Sequence, residues 1–206
     1  MSDNRPGRVL IIAGSDSGGG AGIQGDIKSV TALGGYAATA VTAITVQNTL
    51  GVTGVHTIPV DVVIAQARAV LDDIGADAVK TGMLGERNVV EAVARLLSEI
   101  PTLPVVVDPV MIAKGGASLL ANDAVEAVRS LMVPRAHLLS PNAPEAEVLT
   151  GLTLETTDDL RRAGEALLDW IETCPNQLYS ALVFQGGAVL GEQPADPSRF
   201  LLTGLR

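Results

Sequence analysis

The sequence predicts an α/β fold, with one mainly parallel central sheet and helices on both faces. Three observations predict it. Short apolar runs of strand length alternate with amphipathic helical stretches along the 206 residues. No internal repeat, linker or low-complexity segment interrupts that alternation, so residues 1–206 read as a single domain. The chain is 47% hydrophobic and 18% charged, enough apolar matter for one sizeable core.

The first strand is Val9-Leu10-Ile11-Ile12-Ala13, short and apolar as a buried parallel strand is. It breaks into a glycine-rich turn, Gly14 to Gly22, with three consecutive glycines at Gly18 to Gly20. A helix follows, its apolar stripe formed by Ile23, Ile27, Val30 and Leu33 and its end marked by Gly34-Gly35. Strand, glycine turn and helix let backbone approach a small ligand closely, and Asp26 lies one turn into that helix. The spacing is neither G-x-G-x-x-G nor a phosphate-binding P-loop.

Ala37 to Thr45 reads as the second strand, ending at the polar cluster Val46-Gln47-Asn48-Thr49. Gln47 and Asn48 suit a ligand at a strand's carboxyl end and suit ordinary turn chemistry equally. A helix is predicted over Val60 to Ile74, with Val63, Ala67, Val70 and Ile74 on one stripe. A short strand follows at Asp77 to Lys80, then a helix at Glu86 to Ile100. Met83, between these two, fits core filler or the floor of a pocket. Pro104 to Val110 is a strand carrying Asp108 at its carboxyl end, where an acid suits a cation. Lys114-Gly115-Gly116 suits a mobile flap with a phosphate-seeking charge. A helix is expected over Asn122 to Val133, capped by Asn122, and a strand over Ala136 to Ser140. Asn142 and Glu145 then stand three apart across Pro144. That spacing fits convergence on a hydrated magnesium, and it fits a helix capping box. Thr157 to Trp170 reads as a helix with a threonine cap, Ala181 to Phe184 as a strand before Gln185-Gly186-Gly187, and Arg199 to Thr203 as a further short strand. About seven strands result.

Composition excludes several function classes. A net charge of −9 argues against a nucleic-acid partner. One Trp, two Tyr and two Phe leave few stacking platforms, so a flat ring must be held by glycine backbone, aliphatics or methionine. The single cysteine, Cys174, forms no intramolecular disulfide and fits a reducing cytoplasm. Two histidines without ligand spacing argue against zinc. Five apolar residues after a polar start are too few for a signal peptide or membrane span.

Several motifs together resemble one family. They are Ala13 to Asp26 (AGSDSGGGAGIQGD), Ala32 to Tyr36 (ALGGY), Val46 to Thr49 (VQNT), Lys80 to Leu84 (KTGML), Val107 to Met111 (VDPVM) and Ser140 to Ala146 (SPNAPEA). In order and spacing they resemble the hydroxymethylpyrimidine/phosphomethylpyrimidine kinases of thiamine biosynthesis, over roughly residues 8 to 187. The resemblance implies a ribokinase-like three-layer sandwich. It implies ATP and magnesium as cofactors, phosphorylation of 4-amino-5-hydroxymethyl-2-methylpyrimidine and of its monophosphate, a cytoplasmic location and a homodimer. Ala21, Asp26, Gln47, Met83 and Val110 match positions around the aminopyrimidine. Asp108, Asn142 and Glu145 match positions near magnesium and the ATP phosphates, with Asp108 and Glu145 toward the metal and Asn142 and Glu145 toward phosphate, where the charge of Lys114 is also expected.

Two features depart from the family. Gln185 stands where members carry lysine, and the sequence holds no Gly-Thr-Gly-Cys turn, which supplies the anion hole for the transferred group. The expectation is a domain without the family's C-terminal segment, and a 206-residue chain that turns over poorly. The rival expectation is a non-catalytic pyrimidine-binding or subunit-pairing protein derived from such a kinase. A third is a sister kinase for pyridoxal-like alcohols.

Overall fold

A computed structural model of the chain describes residues 5–111, 122–172, 181–183 and 189–190. Lys114, Cys174, the turn Gln185 to Gly187 and the strand expected at Arg199 to Thr203 lie outside the described residues.

Eight strands form one sheet among the described residues: β1 (Arg8–Asp16), β2 (Tyr36–Asn48), β3 (Gly51–Thr57), β4 (Ala78–Thr81), β5 (Val105–Val107), β6 (Leu138–Leu139), β7 (Ala181–Val183) and β8 (Val189–Leu190). Their order is β3-β2-β1-β4-β5-β6-β7-β8. Every pairing from β2 to β7 is parallel, and β3 and β8 are antiparallel edges. The helices are α1 (Gly22–Ala32), α2 (Val60–Ala69), α3 (Arg87–Glu99), α4 (Asn122–Ala127), α5 (Ala143–Thr150) and α6 (Thr157–Glu172).

The period-2 alternation of β1 divides the core between two layers of helices. Leu10 and Ile12 point into a large cluster that takes in buried residues of α2 to α6, whereas Ile11 and Ala13 pack with Ile23 of α1. The fold is thus the expected three-layer sandwich. The chain leaves β1 toward β2 on one side and returns to β4 on the other. That reversal opens a crevice at the carboxyl ends of β1 and β4, where ligands of open α/β sheets bind.

Several local expectations need correction. The polar cluster at Gln47 does not end the second strand: β2 runs on to Asn48 and turns back into β3. The Asn48 carboxamide oxygen accepts the N–H groups of Leu50 (2.8 Å) and Gly51 (3.3 Å), which makes the turn. Leu33 is 89% exposed and does not join the stripe of α1, because the helix stops at Ala32 and Gly34 (φ +80) carries the chain away. The helix at Val60 is α-helical only to Ala69 and ends in a π-helical turn, Val70–Ile74. The helix at Asn122 likewise ends in a π-helical turn, Val128–Met132, and a 3-10 turn, Val133–Arg135. The cap of α6 is Thr156, one residue before the threonine expected: its Oγ1 accepts from the Asp159 N–H (3.2 Å), while the Asp159 carboxylate accepts from the Thr156 N–H (2.9 Å).

Candidate active site

The glycine-rich turn after β1 is organised by Asp16. Its carboxylate accepts the N–H groups of Gly18 (2.8 Å), Gly20 (3.0 Å) and Ala21 (2.8 Å), and its carbonyl accepts from Gly19 (2.9 Å). The loop's donors therefore turn inward onto one side chain, and the loop serves as a wall rather than a phosphate cradle. Gln24 ties this wall to α1: its Oε1 accepts from the Asp16 N–H (2.8 Å) and its Nε2 donates to Ser15 Oγ (2.7 Å). Ala21 caps α1 without a side-chain bond, and Asp16 takes its donors from the loop that precedes the helix rather than from the first turn.

That wall, β2 and the ends of β4 and β5 enclose a cleft of about 650 Å³. Its lining brings together Ala21, Asp26, Gln47, Met83, Asp108, Val110, Asn142 and Glu145, whereas Asn48, also singled out from the sequence, makes the β2–β3 turn instead. On one side, Thr45 Oγ1 donates its one hydroxyl hydrogen to the Ser15 carbonyl (2.8 Å) and stands 3.1 Å from the Gln47 carboxamide oxygen. Ser17 Oγ donates to the Gln47 carbonyl (2.6 Å) and accepts from its N–H (2.8 Å), which locks this end of β2 to the loop. Met83 is 7% exposed and packs over Gly14: a Cβ at Gly14 would stand 2.5 Å from Met83 Cε, so the end of the methionine would have to shift.

On the other side, Asn142 and Glu145 form a complete capping box at the start of α5. Asn142 Oδ1 accepts from the Glu145 N–H (2.9 Å) and Glu145 Oε2 from the Asn142 N–H (2.9 Å). The capping role is therefore real, and the same two residues also face the cleft. Burial pushes the Glu145 carboxyl above its ordinary 4.5, with the nearby Asp108 charge adding to the shift. Burial likewise pushes Asp108 up, and Lys80 pulls it back only in part.

Lys80 is a cleft residue that sequence reasoning passed over. It lies in the middle of the sheet, in register with Ile11 of β1 and Val106 of β5, on the face covered by α1. Its ammonium donates to Asp26 Oδ2 (2.8 Å) and Asp108 Oδ2 (3.2 Å). Burial pulls its pKa down, but the two carboxylates outweigh that and hold it above 10.5, so it stays charged. The available signal was a lysine inside an otherwise apolar strand. At the rim, Lys28 Nζ donates to the Gly19 carbonyl (2.5 Å).

Among the described residues, no three His, Cys, Asp or Glu side chains converge as a ready-made metal cage. Magnesium does not need one, since it keeps several waters and takes one or two carboxylates together with phosphate oxygens. Two buried carboxylates whose charged forms are disfavoured, Asp108 and Glu145, fit such an ion. Among the described residues, no helix is long and apolar enough to cross a membrane.

A family model described as phosphomethylpyrimidine kinase matches residues 16–189. The chain is 52% identical over 161 residues to a hydroxymethylpyrimidine/phosphomethylpyrimidine kinase of Bacillus subtilis (strain 168), a match covering 78% of this chain and 59% of that relative. The crystal structure of a phosphomethylpyrimidine kinase from Clostridium difficile 630 aligns with a TM-score of 0.77 at 38% identity, over 90% of this chain and 78% of that one. A pyridoxal kinase from Staphylococcus aureus in complex with pyridoxal aligns with a TM-score of 0.76 at 32% identity, over 89% of this chain and 64% of that one. The chain thus spans about three fifths of the length of the Bacillus relative.

Proposed function

This chain belongs to the phosphomethylpyrimidine kinase family, and we propose on that premise that its cleft binds 4-amino-5-hydroxymethyl-2-methylpyrimidine and its monophosphate for phosphorylation by ATP. One observation carries the proposal. A single cleft at the sheet's switch point joins a wall of glycine backbone, Met83 and the Gln47 amide to a cluster of acids.

Each part has a task. Gln47 offers a carboxamide, which can donate to a ring nitrogen and accept from an exocyclic amine. Its Nε2 has no partner among the described residues, so the donor remains for a ligand. Met83, Val110 and the loop at Ala21 hold the ring's faces, as a chain poor in aromatics requires. Asp26 faces the same cavity from α1. Asp108, Glu145 and Asn142 would hold the hydrated magnesium of a metal–nucleotide, with Lys114 toward phosphate. The bound metal would neutralise phosphate charge during transfer. In the transfer itself, the hydroxymethyl oxygen would bond to the γ-phosphorus as the bond from that phosphorus to the bridging oxygen breaks and releases ADP, and the hydroxyl proton would pass to solvent water. The protein's contribution is to align these groups in line. We infer on the same premise a single ribokinase-like domain that acts in the cytoplasm as a homodimer.

Binding is the direct test of the cleft. Gln47→Leu keeps the size of the side chain and removes its hydrogen bonds. It is expected to weaken pyrimidine binding by about ten- to a hundredfold by calorimetry, with the circular dichroism spectrum unchanged. Unchanged affinity would remove Gln47 from the ring site.

A further inference from the structure

We propose that Lys80 is a resident cation for the cleft, a positioning residue that occupies the space between Asp26 and Asp108 and so makes metal binding depend on the nucleotide. The inference rests on the reading of the cleft as a metal–nucleotide and pyrimidine site.

Three observations support it. The ammonium bonds two carboxylates from different elements, Asp26 of α1 at 2.8 Å and Asp108 just beyond β5 at 3.2 Å, and all three side chains are largely buried. Its space is built into the fold: a Cβ at Gly82 would stand 3.2 Å from Lys80 Nζ and 3.0 Å from the Ala13 Cβ. The neighbouring charge is acidic, with Glu145 on the same cavity and close enough to feel Asp108. Two carboxylates facing each other across a buried gap, with a third nearby, would draw in any free divalent ion if the gap were empty. The ammonium meets that demand with one charge. A bare divalent ion must compete with it for Asp108. A metal–nucleotide brings phosphate oxygens as extra ligands and gains phosphate contacts elsewhere in the cleft, so it can compete successfully. Asp26 gives the displaced share of the lysine's charge somewhere to go.

The test is Mn2+ binding to the full chain without nucleotide or pyrimidine, followed by electron paramagnetic resonance. Wild type is expected to bind weakly, Lys80→Met at least about tenfold more tightly, and Lys80→Arg, which keeps the charge, close to wild type. A Lys80→Met protein that binds Mn2+ no more tightly than wild type would overturn the proposal. Should that variant fail to fold, Asp26→Asn decides. It leaves Lys80 committed to Asp108 and should weaken bare Mn2+ binding further, and equal or tighter binding would overturn the proposal. Pyrimidine titrations run separately keep the two readings apart: absence of pyrimidine binding would count against the proposed function and leave the Mn2+ comparison standing.

Discussion

Gly22→Ala is expected to cost about 2–4 kcal/mol of stability and to abolish pyrimidine binding. Gly22 has φ +54, where an L side chain is strained. A Cβ there would also stand 2.4 Å from the Gly14 carbonyl oxygen and 3.2 Å from the Asp16 nitrogen. Both obstacles are backbone atoms, so no side chain can swing aside. The chain must move where α1 crosses back over β1, at the bridge between Ser15 and Gly22. Gly14 to Asp16 line the cleft, so the movement reaches the ring site directly. A fall in Tm of about 5–15 °C is expected by calorimetry. Gly25→Ala is the control. Its φ is ordinary for a helix, its Cβ would meet its nearest neighbour, the Gly20 carbonyl oxygen, at 3.4 Å, and alanine favours the helix. It should be neutral or slightly stabilising. Equal losses in the two variants would mean that glycine content, not the Gly22 contact, matters here.

Glu145→Gln and Glu145→Ala should separate the two tasks of that residue. Glutamine can still accept from the Asn142 N–H, whereas alanine loses that bond and leaves this part-buried N–H without its acceptor. Alanine is therefore expected to destabilise by about 1–2 kcal/mol, and glutamine by much less. Both should weaken metal–nucleotide binding by about tenfold or more, since each removes the charge. The pH dependence has a definite sign. A carboxyl raised in the folded state contributes stability that is complete below its unfolded value of 4.5 and is lost as pH rises through the folded value. Removing the group removes that loss, so glutamine should gain on wild type as pH rises above 4.5 and lose the advantage below it. Denaturant titrations of both proteins across that range would show it, and a gap that widened toward low pH would mean Glu145 is stabilised as the carboxylate.

The site was more legible in the sequence than the sheet edges were. A glycine run after an apolar strand, an acid at Asp108 and the Asn142–Glu145 spacing each mark a strand end or helix start, and strand ends of a parallel sheet meet at one crevice. The hairpin into β3 was hidden because Asn48-Thr49-Leu50 carries its turn chemistry directly after Gln47, and a polar cluster reads as the end of a strand. Its outward residues, Val46 and Val55 among them, are exposed and give no clean alternation. Lys80 was hidden for another reason. A lysine in a strand normally points to solvent, and only the register that sets it between Ile11 and Val106 beneath α1 makes it a buried counter-ion. Asp16 reads as one more loop residue until its carboxylate is seen to take three backbone donors.

The most direct test of the central claim is a calorimetric titration of the wild-type chain with 4-amino-5-hydroxymethyl-2-methylpyrimidine and, separately, with pyridoxal. The proposed function predicts saturable binding of one pyrimidine per chain, at least about tenfold tighter than pyridoxal. No pyrimidine binding, or pyridoxal bound as tightly or more so, would contradict the assignment of this cleft to an aminopyrimidine.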